Sequence, residues 1–323
     1  MPQNFDYNPR VIASGLGFLE GPVPMDDGSV LVLDMSAGAV VRIDPATGSQ
    51  SVFAHTGGGP NGAAFGPDGA LYICNNGGLA MEKSPEGNNI PKLGEPAADP
   101  VTPSIQRIAP DGTVTLLYTH CGEFALEAPN DLVFDAHGGF YFTDLGHFSG
   151  RTCNLGGLYY ALPDGSSIVE LVHEANLMAP LTQPNGVGLS PAGDRVYVAE
   201  TVTGRVWAWA ISAPGVLAPH PDAISANGAA LLYGHEGFTM HDSLAVDSGG
   251  FVCTATLIKG GITVIRPDGG LEDFVALPEY DPMVTNICFG GPDLRTAYVT
   301  SAGTGKVWAL DWPRPGLRLN YAR

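Results

Sequence analysis

The chain has 323 residues and a formal charge of −18, from 15 Lys and Arg against 33 Asp and Glu. That balance excludes the basic track a nucleic-acid binder needs to displace counterions, and it disfavours docking on anionic membranes. No run is long enough to span a bilayer, and Met1-Pro2-Gln3-Asn4-Phe5-Asp6 lacks the basic and apolar regions of a signal peptide, so a cytoplasmic location with neither nucleic-acid nor membrane partner is expected.

In chain order, six copies of one pattern follow. The first opens on Leu19-Glu20-Gly21-Pro22, turns at Met25-Asp26-Asp27-Gly28, and continues through the strand-like runs Val30-Leu31-Val32-Leu33 and Ala39-Val40-Val41-Arg42-Ile43. Later copies open on Asn61-Gly62, Asn130-Asp131, Asn185-Gly186, Asp242-Ser243 and Asn286-Ile287, each followed by a Gly- or Pro-containing turn and two further apolar runs such as Leu71-Tyr72-Ile73-Cys74 and Ser104-Ile105-Gln106-Arg107-Ile108. Strand, turn, strand, turn, strand repeated six times, with no long stretch at helical period, predicts an all-β chain folded as one six-bladed β-propeller over residues 1–323. The repeat is broken at about 77–103, a Pro-, Gly-, Glu- and Asn-rich stretch read either as a lid over a site or as a mobile surface loop. Another insertion, 213–227, reads as an outer connection. The five cysteines form no CxxC pair and read as small buried hydrophobes.

Blades around an axis bring equivalent positions together. Glu20, Asn130, Asn185 and Asp242 then offer oxygen donors only, two anionic and two neutral, which suits a hard divalent cation. Taken singly, Asn-Gly and Asp-Ser pairs are ordinary turn residues; at four equivalent places they point to a site. His147, Glu200 and His241 lie where they could line its mouth and contact substrate, with solvent-facing loops as the alternative for the histidines. His235-Glu236 followed by His241 lacks the spacing of a helical zinc pair, and neither a G-x-S-x-G nor a phosphate loop is present.

These motifs jointly resemble the SMP-30/gluconolactonase/LRE family of six-bladed propellers, over nearly the whole chain. The runs Gly138-Gly139-Phe140-Tyr141-Phe142-Thr143-Asp144, Leu155-Gly156-Gly157-Leu158-Tyr159-Tyr160 and Gly234-His235-Glu236-Gly237 are most similar to its drug-responsive bacterial lactonase branch. The resemblance implies one catalytic divalent ion, calcium first with magnesium, manganese or zinc as alternatives, held by Glu20, Asn130, Asn185 and Asp242. It also places a proposed general base at Asp242. Asn130 matches a position that ligates metal in some members and touches substrate in others, and Asp131 is the alternative third-blade residue. Where animal gluconolactonases carry an Arg two residues before the third-blade Asn, this chain has Ala128, against sugar-lactone recognition.

The activity so implied is metal-dependent opening of a lactone ring by water, the substrate being a small-molecule lactone. A phosphotriesterase or diisopropylfluorophosphatase-like hydrolase on the same scaffold is the alternative, because both reactions polarise an oxygen and deliver a nucleophile. A propeller whose ion is only structural is the third.

Overall fold

The computed structural model describes residues 5–149, 151–173, 181–225 and 227–323, and every regular element among them is a β-strand. Six sheets carry the six sequence copies. The first comprises Leu19–Pro24, Val30–Asp34, Ala39–Ile43 and Gln50–His55, and the second Pro60–Phe65, Leu71–Asn75, Ser104–Ile108 and Val114–Tyr118. The third runs Pro129–Phe134, Phe140–Ser149, Thr152–Ala161 and Ile168–His173. In the fourth, Pro184–Leu189 and Arg195–Glu200 lead to Arg205–Ala213, which pairs with both Val216–Ala218 and Ala230–Gly234. Met240–Val246, Val252–Leu257, Gly261–Ile265 and Leu271–Ala276 make the fifth. The sixth takes Val284–Gly290, Thr296–Ser301 and Lys306–Asp311, and its outermost strand, Arg10–Ala13, comes from the other end of the chain. All pairings are antiparallel, as short turn connections require.

Innermost strands of consecutive sheets touch one another, and the first also touches the sixth, so the contacts close into a ring. The apolar core follows the same circle. Leu31, Leu33 and Val40 pack on Phe65, Leu71 and Ile73 between sheets one and two. Tyr72 and Cys74 meet Phe134, Phe140 and Phe142; Tyr141 and Leu158 meet Val196, Val198 and Trp209. Tyr197 and Val206 meet Leu244 and Val246; Cys253 and Ile262 meet Ile287 and Val299; Val30 and Val32 close the circle on Tyr298 and Val307. The second strand of each sheet is therefore covered on both faces, which is why it reads as an unbroken apolar run instead of an alternating one. Val30, Leu31, Val32 and Leu33 have no exposed area, and each such side chain contributes about 1.5–3 kcal/mol. Cys74, Cys253 and Cys288 are buried in these layers as free thiols.

The segment at 77–103 is an ordered ribbon of two strands, Leu79–Lys83 and Asn89–Pro96. Asn89 donates its backbone N–H to Gly303 O at 2.7 Å and its side-chain amide to Gly17 O at 3.2 Å and Ala302 O at 3.1 Å, in a turn of sheet six and the segment entering sheet one. The same strand packs along Phe140–Ser149 of sheet three. Sheets three and six stand opposite each other in the ring, so one strand touching both crosses one end of the ring of innermost strands. A second projection, absent from the sequence reading, is the hairpin formed where Phe140–Ser149 and Thr152–Ala161 run past their sheet, with His147 opposite Asn154. Within the 213–227 insertion, Val216–Ala218 is an outer strand of sheet four, paired on Arg205–Ala213, in keeping with an outer connection.

Candidate metal centre

In all six innermost strands the register slips at one level: Glu20/Val23, Pro60/Ala63, Pro129/Leu132, Pro184/Val187, His241/Leu244 and Val284/Asn286. A bulge re-aims a side chain while the strand continues. Here five bulges put Glu20, Asn61, Asn130, Asn185 and Asp242 on one ring, while in the sixth strand Thr285 takes that place and Asn286 stands one residue on, level with Asp131; all are buried. The Asn-Gly pairs thus lie inside strands and not in turns. Their glycines serve close approach: a Cβ on Gly62 would stand 2.5 Å from Asp131 Oδ1, and one on Gly186 2.5 Å from the backbone nitrogen of Leu244.

What holds four of the ring residues in place is a second repeated position, at the end of the second strand in sheets one to four. The Asp34 carboxylate accepts the N–H of Gly17 at 2.8 Å, and Asn75 Oδ1 that of Gly59 at 3.0 Å. Asp144 accepts Glu127, Ala128 and Gly146 N–H groups at 2.8, 2.8 and 2.9 Å. Glu200 accepts Thr182 N–H at 2.6 Å, the Thr203 hydroxyl at 2.6 Å and the Trp207 indole at 2.7 Å. In each case the chain entering the innermost strand of the same sheet is pinned two or three residues before the ring residue. Glu200, expected to line the pocket, spends its carboxylate on this anchoring. A polar residue recurring at the end of the second strand was the sequence signal for this series.

Three carboxyl groups converge at the ring. Burial, then the nearby Asp242 charge, raises the Glu20 pKa well above the usual carboxylate range, against a bond from Asn286 Nδ2 to Glu20 Oε2 at 3.3 Å. Burial lifts Asp242 to about 7, with Asp131 adding to the rise, and lifts Asp131 to about 7 as well. Among the described residues no ion pair involves any of the three. Buried charges of one sign without a counter-charge are costly, so the ring calls for a cation or protons.

The amides differ. Asn130 Oδ1 is buried with no hydrogen-bond partner. Asn185 Oδ1 accepts the Ser243 hydroxyl at 3.3 Å, and its Nδ2 reaches Thr201 at 3.1 Å. Asp131 is engaged by its neighbours, accepting the Leu132 N–H at 2.9 Å and a further bond from Val187, with the single Ser243 hydroxyl proton shared between it and Asn185. No three His, Cys, Asp or Glu side chains among the described residues form a metal-holding group. The donor set is instead mixed, carboxylate plus amide oxygen. Unpaired carboxylates beside an orphaned buried oxygen fit a hard divalent cation.

His241 is fully buried, its ring beside those of Tyr233 and His235, with centroids 6.0 and 6.2 Å away. Burial, with His235 and Lys259 near, pulls its pKa down to about 3, and neither ring nitrogen has a partner. His147 is exposed on the projecting hairpin of sheet three. Below the ring, on the side away from the ribbon, lies a cavity of about 1030 Å³ walled by Val23, Val133, Leu189 and Ile287. It reaches Asp131 and Asn286 but touches none of the four expected ligands, so it is not the mouth that the ribbon crosses.

A family model described as SMP-30/Gluconolactonase/LRE-like region matches residues 18–303. The chain belongs to the SMP-30/gluconolactonase/LRE-like family. Within this family, a gluconolactonase of Zymomonas mobilis is 25% identical over 303 residues, covering 87% of this chain and 75% of the relative. Lactonase drp35 of Staphylococcus epidermidis is 29% identical over 289 residues, covering 86% and 76%. The SMP-30-like fold also aligns with solved structures. A gluconolactonase from Xanthomonas campestris has TM-score 0.69 at 21% identity, covering 97% of each chain. A calcium-binding regucalcin from Agrobacterium tumefaciens has TM-score 0.68 at 17% identity, covering 98% and 99%. No helix among the described residues is long and apolar enough to cross a membrane.

Proposed function

We propose that this protein is a metal-dependent lactonase that opens a lactone ring by attack of water. The observation carrying this is the ring itself: Glu20 and Asp242 converge, unpaired, beside the free amide oxygen of Asn130. The lactonase and gluconolactonase names of its relatives support the reaction class. Glu20, Asn130, Asn185 and Asp242 would hold the ion, for which calcium has the support of the regucalcin likeness. When bound, a divalent ion supplies Lewis acidity to the lactone carbonyl and offsets the two carboxylate charges.

The chain's own residues do the rest. Asp242 accepts the proton of the attacking water, and compensation of its charge at the ring keeps it ionised at neutral pH. Asn286 steadies Glu20 through its amide, and Ser243 steadies Asn185. With Asp131 committed to Leu132 and Val187 and sharing the Ser243 hydroxyl, Asn130 is the third-sheet donor and Asp131 the residue that sets the spacing of three strands. The small Ala128 leaves no guanidinium for sugar hydroxyls. His147 stands on the projecting hairpin, placed to meet a substrate at the mouth. A panel of lactones and one phosphotriester, assayed with and without chelator, tests the reading. Lactone turnover that chelator abolishes and calcium restores is expected; phosphotriester turnover alone, or none, overturns it.

The ribbon at 77–103 serves as the lid of a single propeller domain, because it crosses the end of the strand ring on the side where the innermost strands enter. Replacing 79–96 with a short Gly/Ser turn is expected to leave the circular dichroism spectrum unchanged while altering KM several-fold and the ranking of substrates. Identical kinetics across the panel would make it a passive surface ribbon.

A further inference from the structure

Asn61 takes the ring position between Glu20 and Asn130, on the innermost strand of sheet two. It is 4% exposed, and its Oδ1 is buried with no hydrogen-bond partner, the same condition as Asn130 Oδ1 on the adjacent strand. Its Nδ2 faces Met35 Sδ at 3.7 Å, which turns the oxygen the other way. Because its bulge, Pro60/Ala63, matches the others in place, the oxygen stands at the level of the carboxylates.

The other buried amides around the ring do not share this state. Asn286 Oδ1 accepts the Ile287 N–H at 2.8 Å while its Nδ2 serves Glu20, so both ends of that amide are used. Asn185 Oδ1 receives the Ser243 hydroxyl. Two of the three ring amides therefore present an unspent acceptor, and they are neighbours. A buried carbonyl oxygen without a donor is rare in folded proteins and calls for a missing partner. Next to unpaired carboxylates, the partner that satisfies an acceptor and an anion together is a cation.

We propose that Asn61 is an additional oxygen ligand of the ring's divalent ion, so that the donor arc runs without a gap from sheet one to sheet three. This inference rests on the metal reading above. It assigns the second sheet a direct part in the site, with a hard ion of high coordination number as the ligand class, since a larger number of neutral oxygens favours calcium over the smaller, more strictly octahedral magnesium.

The test uses Tb³⁺ as a calcium probe on the full chain, with luminescence lifetimes in H₂O and D₂O counting the waters bound to the ion and calcium competition giving Kd. Asn61→Ala is expected to add about one bound water and to weaken binding by about tenfold. Asn286→Ala, which removes no free oxygen, is expected to leave the water count unchanged. Asn61→Asp keeps an oxygen and adds charge, so it should bind several-fold tighter at the native water count, and it keeps the inference testable if the Ala variant fails to fold. An unchanged water count in Asn61→Ala, or weaker binding by Asn61→Asp, overturns the assignment of Asn61 alone. Failure of the unsubstituted protein to bind Tb³⁺ or calcium overturns the metal reading itself.

Discussion

Asp242→Asn, saturated with calcium, is expected to lose on the order of 10²-fold or more in kcat toward its best lactone. The substitution keeps an oxygen at the ring and nearly the same volume, but an amide cannot accept the water proton. Position and role are thereby separated. Asp242 is buried and its unliganded pKa stands near 7, raised by burial, a state that only a nearby positive charge returns to a dependable carboxylate at neutral pH. Metal content of the variant is measured alongside activity, so that loss of the ion is not mistaken for loss of the base. Native turnover by the metal-loaded variant would remove Asp242 from the base role.

Glu20→Gln is expected to weaken calcium binding by about 100-fold, at the upper end of what even outer-sphere losses cost a metal site, and to act in the opposite sense on the metal-free protein. In the metal-free ring Glu20 and Asp242 disfavour each other's ionised forms, so neutralising one relieves a buried repulsion. The stabilisation conferred by a ligand at 100 times its Kd is about 2.7 kcal/mol; at a concentration equal to the weakened Kd it falls to about 0.4 kcal/mol. Thermal melts therefore discriminate: the Tm of the metal-free variant should equal or exceed that of the unsubstituted protein, while the gain on adding calcium nearly vanishes. An undiminished calcium-induced gain would show that Glu20 is not a ligand.

The anchoring series bears on how such a site stays pre-organised. Asp34, Asn75, Asp144 and Glu200 each fasten the segment that precedes a ring residue, by bonds to backbone N–H groups that a loop would otherwise leave to water. Donors held this way need no ordering when an ion or substrate arrives, which favours binding over a mobile equivalent. The ribbon and the sheet-three hairpin stand apart from this frame and meet across one end, where loop variation can change substrate without disturbing the ring.

The all-β propeller class was legible in the sequence because its cause is local. Turn residues recur at fixed offsets, and apolar runs such as Leu71-Tyr72-Ile73-Cys74 are long enough to demand cover on both faces. The ring residues were legible for a related reason: equivalent places in a closed repeat must converge, so Glu20, Asn130, Asn185 and Asp242 could be grouped before any coordinate was known. Direction and partnership were not legible. Which rings lie beside His241, whether Glu200 is free or spent on Thr182, and which of Asn130 and Asp131 keeps an open oxygen all depend on contacts between strands far apart in sequence. The closing strand Arg10–Ala13 and the bonds of Asn89 to a turn of sheet six and the segment entering sheet one are likewise long-range. Periodicity along a chain records which face of a strand is covered; only tertiary packing decides which polar atoms meet, because hydrogen bonds and ionic contacts are settled by distances of a few ångströms between residues that the sequence holds hundreds of positions apart.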